Sequence, residues 1–399
     1  MCTGDIERLE GIDVPKIMQI FAKETHGKSY NTYKYSFDKI GLPEVDYDEE
    51  NKSPSMNVEK GETEKINKSR DIAELASEIK ENEPLFKYFL DGSRHVFKVD
   101  DIAYNGQVFP IIAGQVGVGC CERTEKKMHM SKFYSDLVLA VPDQAYSGSW
   151  NEDAFFHGIT DKLNNSEELK RLRLKFGAII PYSTAISKKD GKLENRGVAK
   201  IQDYMIEQEK LLVAELVASK ALTQDKYLIK DGSLEYKEMQ SGRKELRVLQ
   251  KIKYNYNWVV GVSKKFNPSL IKDKNKKSNG NFLAELKTGH RTPVARYENQ
   301  DYHGDVQFAV WYLRLRDKRY TLTPFDGIVK IEKILMDEEL KDGISSDMVD
   351  FISANIYNER NPTCYGDDKR WANHLYPVYV TEKYVKSRYM SVDTFLHLF

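Results

Sequence analysis

Two stretches, Phe89-Leu90-Asp91-Gly92-Ser93 and Tyr227-Leu228-Ile229-Lys230-Asp231-Gly232-Ser233, close on the same tripeptide far apart in the chain. An apolar run ending in Asp-Gly reads as a buried strand that emerges at the edge of its sheet, presenting one carboxylate beside a backbone able to turn sharply. Two such strands side by side bring two acids together. Like charges at close range force one carboxyl to hold its proton unless a cation lies between them, so the pair points to a divalent metal and to metal-dependent phosphoryl transfer. Either tripeptide alone reads first as an ordinary turn after a strand, and it is the pair that reverses this.

The bulk properties narrow the class. At 399 residues the chain can bury a sizeable core, as one elaborated domain or two. Charged residues make up 31% and hydrophobic residues 40%, the balance of a soluble globular protein. Lys+Arg and Asp+Glu number 61 each, so any pull on nucleic acid must come from segregated patches rather than net charge. No apolar stretch approaches a membrane span, and Met1-Cys2-Thr3-Gly4-Asp5-Ile6-Glu7 lacks the layout of a secretory signal; a cytoplasmic location with no membrane partner is expected. Cys2, Cys120, Cys121 and Cys364 form no C-x-x-C spacing and read as reduced thiols, with the adjacent pair on opposite faces of a strand.

Helical periodicity over 13–41 and 72–88 brackets a polar segment, 43–71, read as a flexible connector, so that 1–85 forms an N-terminal helical extension. From residue 86 the period becomes that of strands: 86–91, 97–104 and the Gly-rich run 108–121. A helix at about 198–221 precedes the second Asp-Gly strand. Strands at 258–262, 308–315 and 327–334 follow, with helices near 346–358 and from about 380. Strands in meander, then interleaved with helices, predict a mixed α/β sheet flanked by helices.

A third acid comes from the helix before the second strand. A five-residue strand spans about 13–17 Å at ~3.3 Å per residue, and an antiparallel helix climbs that height in about 9–11 residues at ~1.5 Å each. Counting back from Ser219 lands on Glu209, whose stripe partners Leu212, Val213 and Leu216 turn it toward the sheet; Glu207 and Glu215 are its rivals. Lys264 closes the strand Val259-Val260-Gly261-Val262-Ser263, where a cation can hold a phosphate oxygen at a metal-loaded site. Between Arg243 and Lys277 stand eleven Lys or Arg against Glu245 and Asp273, interleaved with Tyr254, Tyr256, Trp258 and Phe266. Such a stretch offers phosphate contacts and stacking surfaces, and Arg243, Lys244, Arg247, Lys251, Lys253 and Lys265 are the candidate nucleic-acid contacts.

In order, these features resemble the NurA nuclease family: Leu90-Asp91-Gly92-Ser93, a glutamate-bearing helix, Ile229-Lys230-Asp231-Gly232-Ser233-Leu234, Val259-Val260-Gly261-Val262-Ser263-Lys264, Tyr312-Leu313-Arg314-Leu315, Ile328-Val329-Lys330-Ile331-Glu332, and Tyr376-Pro377 before a final helix. The resemblance spans roughly 86–399, with an insertion at about 122–195 outside it. It implies an RNase H-like fold, Mn²⁺ or Mg²⁺ on Asp91, Glu209 and Asp231, and Lys264 as the family's lysine. It further implies a DNA exonuclease, a homodimer around a DNA channel, and a HerA-type hexameric translocase as partner, in DNA end processing or anti-phage defence.

One departure accompanies it. The family commonly carries His or Asp in the final helix a few residues after Tyr-Pro, where this chain reads Thr381-Glu382-Lys383-Tyr384. If Lys383 takes that place a metal or proton role is lost, unless Glu382 substitutes. The alternative reading is therefore a catalytically degenerate, DNA-binding subunit of a translocase complex. An actin-like ATPase, which needs Asp-x-Gly and a Thr- or Gly-rich turn, fits Asp-Gly-Ser poorly.

Overall fold

The computed structural model describes residues 17–29, 35–36, 56–57, 61–66, 68–148, 151–185, 192–234, 246–268, 280–298, 306–318, 321, 323–360 and 371–399. Its principal strands are β1 (Phe86–Tyr104), β2 (Gln107–Thr124), β3 (Lys127–Pro142), β4 (Phe176–Tyr182), β5 (Tyr227–Asp231), β6 (Val259–Ser263), β7 (Gln307–Arg314) and β8 (Ile328–Ile334). The principal helices are α1 (Ile17–Glu24), α2 (Glu152–Asn164), α3 (Leu193–Ala218), α4 (Leu246–Tyr256), α5 (Ser346–Asn358) and α6 (Tyr376–Ser387). Shorter helices, strands and turns make up the other described residues.

All the principal strands lie in one mixed sheet, ordered β7-β8-β6-β5-β1-β2-β3-β4. The hairpins β1-β2 and β2-β3 are antiparallel, whereas β5 runs parallel to β1 and β6 parallel to β5. Taken from the third meander strand, the succession β3-β2-β1-β5-β6 has the order 3-2-1-4-5, with α3 crossing over before the fourth member. Helices cover both faces. Leu90 and Leu228 join Met205, Leu212 and Leu216 of α3 and Tyr256 of α4 on one side; Phe89, Ile229, Val260 and Val262 join Val349 and Ile352 of α5 and Val378 of α6 on the other. The pleat's two-residue period thus assigns neighbours in sequence to opposite layers.

The structure departs from the sequence reading in how strands end. The stretches 86–91 and 97–104 are one continuous strand, because β2 pairs with it from Tyr88 to Tyr104 through a single register shift between Lys98 and Asp100. Its other neighbour, β5, pairs only from Phe86 to Leu90. Beyond Leu90, β1 would therefore offer unpaired backbone groups along one edge. Lys28–Ser29 and Tyr35–Ser36, expected inside a helix over 13–41, instead pair with β1 there, and among the described residues of that span α1 alone is helical. The helix expected over 72–88 stops after Ala73–Glu78; Pro84 cannot donate to a helical ladder, and the strand begins two residues later.

Much of the expected 43–71 connector lies outside the described residues. Of the rest, Met56–Asn57 and Arg70–Asp71 pair with sheet strands, and Glu62 is buried against Arg291 at 2.8 Å. Cys120 and Cys121 are both buried, the first among the α3-side cluster and the second beside Thr381 of α6, in accord with opposite faces. Cys2 and Cys364 lie outside the described residues. No helix among the described residues is long and apolar enough to cross a membrane.

Candidate active site

Asp91 sits in β1 where β5 ends beside it, and Asp231 is the last residue of β5. The two carboxylates expected to meet do so, and a third comes from α6. One oxygen each of Asp91, Asp231 and Glu382 lies within 4.8 Å of the others, the one such acidic group among the described residues. Thr381 and Glu382 divide the work of their helix: Thr381 is buried under it, its hydroxyl bonded to Pro377 O at 2.9 Å, while Glu382 turns to the strand ends. The helix approaches closely because β2 carries glycine at positions facing it. A Cβ at Gly119, the partner of Asp91 across the ladder, would stand 2.7 Å from Val385 Cγ2.

Lys264, one residue past β6, reaches Asp231 Oδ2 at 2.8 Å and Glu382 Oε2 at 3.7 Å. Lys386 holds Glu382 Oε1 at 2.6 Å. Lys383 instead lies over the Tyr379 ring at 5.3 Å, so Glu382 and not its neighbour occupies the place beside the two aspartates. The charges act on one another. Burial, and then the facing Asp231, push the Asp91 carboxyl well above the ordinary carboxylate range. Burial works the same way on Glu382, but Lys264 and Lys386 outweigh it and hold that carboxyl below its usual value. Burial opposes the Lys264 ammonium; Asp231, Asp91 and Glu382 overcome it and raise its pKa.

Each Asp-Gly-Ser is built for a different reason. Gly232 adopts φ 88°, a left-handed turn that suits glycine, and its N–H donates to Val262 O at 3.0 Å, tying Asp231 to β6. Ser233 Oγ and Leu234 N–H then donate to Glu332 of β8 at 2.7 and 2.6 Å, and Lys330 pairs with the same carboxylate at 2.6 Å. Glu332 is thus a buried clamp on the second tripeptide. Sequence reasoning quoted it only as part of a strand, because nothing local marks a partner a hundred residues away. Gly92 makes no turn, since β1 continues through it. A Cβ there would collide with Glu209 Oε1 and come 3.2 Å from Met205 Cγ, so glycine is what admits the α3 side chain.

Glu209 is buried and points into the sheet as counted from the helix end, but from the layer opposite Asp91. Its Oε2 lies 3.1 Å from Lys230 Nζ and has no hydrogen bond of proper direction, and it stands outside the three-carboxylate group. Burial raises its pKa despite Lys230. Of the basic residues, Arg243 and Lys244 lie outside the described residues, and Arg247 belongs to α4 without a described side chain. Lys251 is exposed and Lys253 pairs with Asp337 at 3.2 Å, on a helix that packs against the α3 layer rather than the layer of Asp91. Lys265, exposed, directly follows Lys264.

The model of the NurA domain family matches residues 23–382, nearly the whole chain. This chain belongs to the NurA family. Among solved structures it is similar to the NurA nuclease from Sulfolobus solfataricus, at 10% identity, over 79% of this chain and 86% of that one, with a TM-score of 0.39. No curated protein matches its sequence. Within this NurA-family chain the match begins inside α1 and ends on Glu382, so the N-terminal strands on β1 fall inside the family's span.

Proposed function

We propose that this NurA-family protein is a divalent-metal-dependent deoxyribonuclease that hydrolyses phosphodiesters at DNA ends, with its centre at Asp91, Asp231 and Glu382. The observation that carries the reading is the convergence of three carboxylates from β1, β5 and α6 within 4.8 Å, Asp91 buried and Asp231 and Glu382 half-buried, with Lys264 offsetting part of their charge. Hard oxygen donors in that number suit Mn²⁺ or Mg²⁺. Such an ion supplies a water of lowered pKa and a Lewis acid toward the phosphodiester.

The chain's own residues do the rest. Asp91 and Asp231, anchored on neighbouring parallel strands, set the two oxygens whose separation selects the ion. Glu382 closes the third side from the helix. Lys264, held by Asp231, presents its ammonium to a non-bridging phosphate oxygen and stabilises the charge that grows as the P–O bond breaks. Glu332 keeps the Asp231 turn rigid through Ser233 and Leu234. Family membership adds the expectation of a homodimer and a HerA-type hexameric translocase, and Lys251 and Lys265 remain candidate phosphate contacts.

The test is degradation of end-labelled duplex and single-stranded DNA by pure protein with Mn²⁺, with Mg²⁺ and with chelator. Cleavage that needs the ion and disappears in Asp231→Ala supports the reading. DNA binding without cleavage under every condition selects the degenerate subunit instead. That alternative had rested on the changed final helix, which retains a carboxylate at the site in Glu382. Co-elution with a HerA-type hexamer, and the mass of the protein alone, test the assembly.

A further inference from the structure

We propose that Lys230 keeps Glu209 out of the metal shell, so that the centre takes one divalent cation on Asp91, Asp231 and Glu382 while the Lys230 ammonium serves as permanent counter-ion to the fourth carboxylate. The inference rests on the metal-nuclease reading above and specifies its stoichiometry.

Three observations carry it. First, Lys230 and Glu209 approach to 3.1 Å with side chains only 6% and 3% exposed, a buried ion pair. Second, the pair lies in the other layer. Lys230 precedes Asp231 in an extended strand, so its side chain leaves toward α3 while Asp231 leaves toward α6. Third, Lys230 is bound to the site's own backbone: its Nζ also donates to Asp231 O at 2.9 Å. Drawing Glu209 across to a cation would strand a buried ammonium beneath the metal, and removing one partner of a buried pair is strongly unfavourable. Packing adds to the restraint, since Glu209 Oε1 fills the space that Gly92 leaves empty and Met205 closes over it.

The same geometry bears on a second ion. In two-metal sites the cations sit about 3.5–4 Å apart, and a second ion beyond the three grouped carboxylates would draw on a further oxygen donor. The remaining acid of the expected metal set is Glu209, and a cation beside it would meet the Lys230 ammonium, which lies 3.1 Å from its Oε2. Lys230 thus fills electrostatically the place of a second metal. It is a positioning residue and touches neither substrate nor reacting atoms.

The experiment counts ions on the full-length protein without DNA, titrating Mn²⁺ and following free Mn²⁺ by electron paramagnetic resonance, with calorimetry in parallel. The wild type should bind one Mn²⁺ per chain. Glu209→Gln should bind one with unchanged affinity, whereas Asp231→Asn should weaken it on the order of 100-fold or more. Lys230→Met should free Glu209 and raise the count to two. Two ions on the wild type, falling to one in Glu209→Gln, overturn the inference and leave the nuclease reading standing. No Mn²⁺ on the wild type removes both. If Lys230→Met does not fold, the wild-type and Glu209→Gln counts decide.

Discussion

Replacing Asp91 by Asn should make the ion-free protein more stable while destroying its activity. Asp91 has two carboxylates within 4.8 Å, and unit charges at that distance repel by about 3.5 kcal/mol each at an effective dielectric of about 20. Lys264 returns part of this, and the raised pKa of Asp91 lets a retained proton relieve more. A net gain of about 1–3 kcal/mol remains for the amide, or on the order of 1–2 °C in Tm per kcal/mol for a chain of this length. The pH dependence carries a definite sign. A carboxyl whose folded pKa lies above its unfolded value of 3.8 binds more protons folded than unfolded, so its contribution to stability falls as pH rises through that interval. The wild type minus Asn difference should therefore be small near pH 4 and widen toward neutrality. Melting curves in chelator from pH 4 to 8 measure it. Added Mn²⁺ should reverse the order, stabilising the wild type by about 2.7 kcal/mol at a hundred times its Kd and the variant far less. An Asn variant less stable than wild type in chelator at pH 8, or stabilised equally by Mn²⁺, would refute the charge argument.

Gly92→Ala should cost about 1–3 kcal/mol in urea unfolding, because its Cβ collides with Glu209 and crowds Met205; an unchanged midpoint contradicts the close approach. Glu332→Gln should lower stability by about 1.5–3 kcal/mol, and kcat more than Mn²⁺ affinity, since it loosens the turn after Asp231 without removing a ligand; steady-state kinetics with Mn²⁺ titration separate the two. Lys264→Met should tighten Mn²⁺ binding by removing a competing cation while slowing cleavage on the order of 10²–10³-fold, read by single-turnover assay.

The acids were legible because strand endings have a local signature. An apolar run closing on Asp-Gly announces a carboxylate at the limit of a buried layer, and two announce a meeting. The count of residues from Ser219 found Glu209 buried against the sheet, since rise per residue is a constant of helices and strands, but not that it lies on the face opposite Asp91, outside the carboxylate group. Glu382 was harder: Lys383 stood beside it, and only the packing of α6 on the glycines of β2 decides which side chain faces the strands. The length of β1 was misjudged because a strand's end depends on its partners, and β2 continues where β5 stops.

What the sequence by itself determined is therefore the order of the candidate residues along the chain, the repeated Asp-Gly-Ser and the closing lysine among them, and the alternation that makes a mixed α/β sheet. Those are properties of neighbouring residues, governed by period and by backbone freedom. Which face each side chain occupies relative to distant ones was decided only by the tertiary structure. Lys230 and Asp231 are adjacent in sequence yet belong to opposite layers, one paired with Glu209 and the other with Lys264. A one-residue step reverses direction in a strand, and only the helices that cover each face determine what waits there.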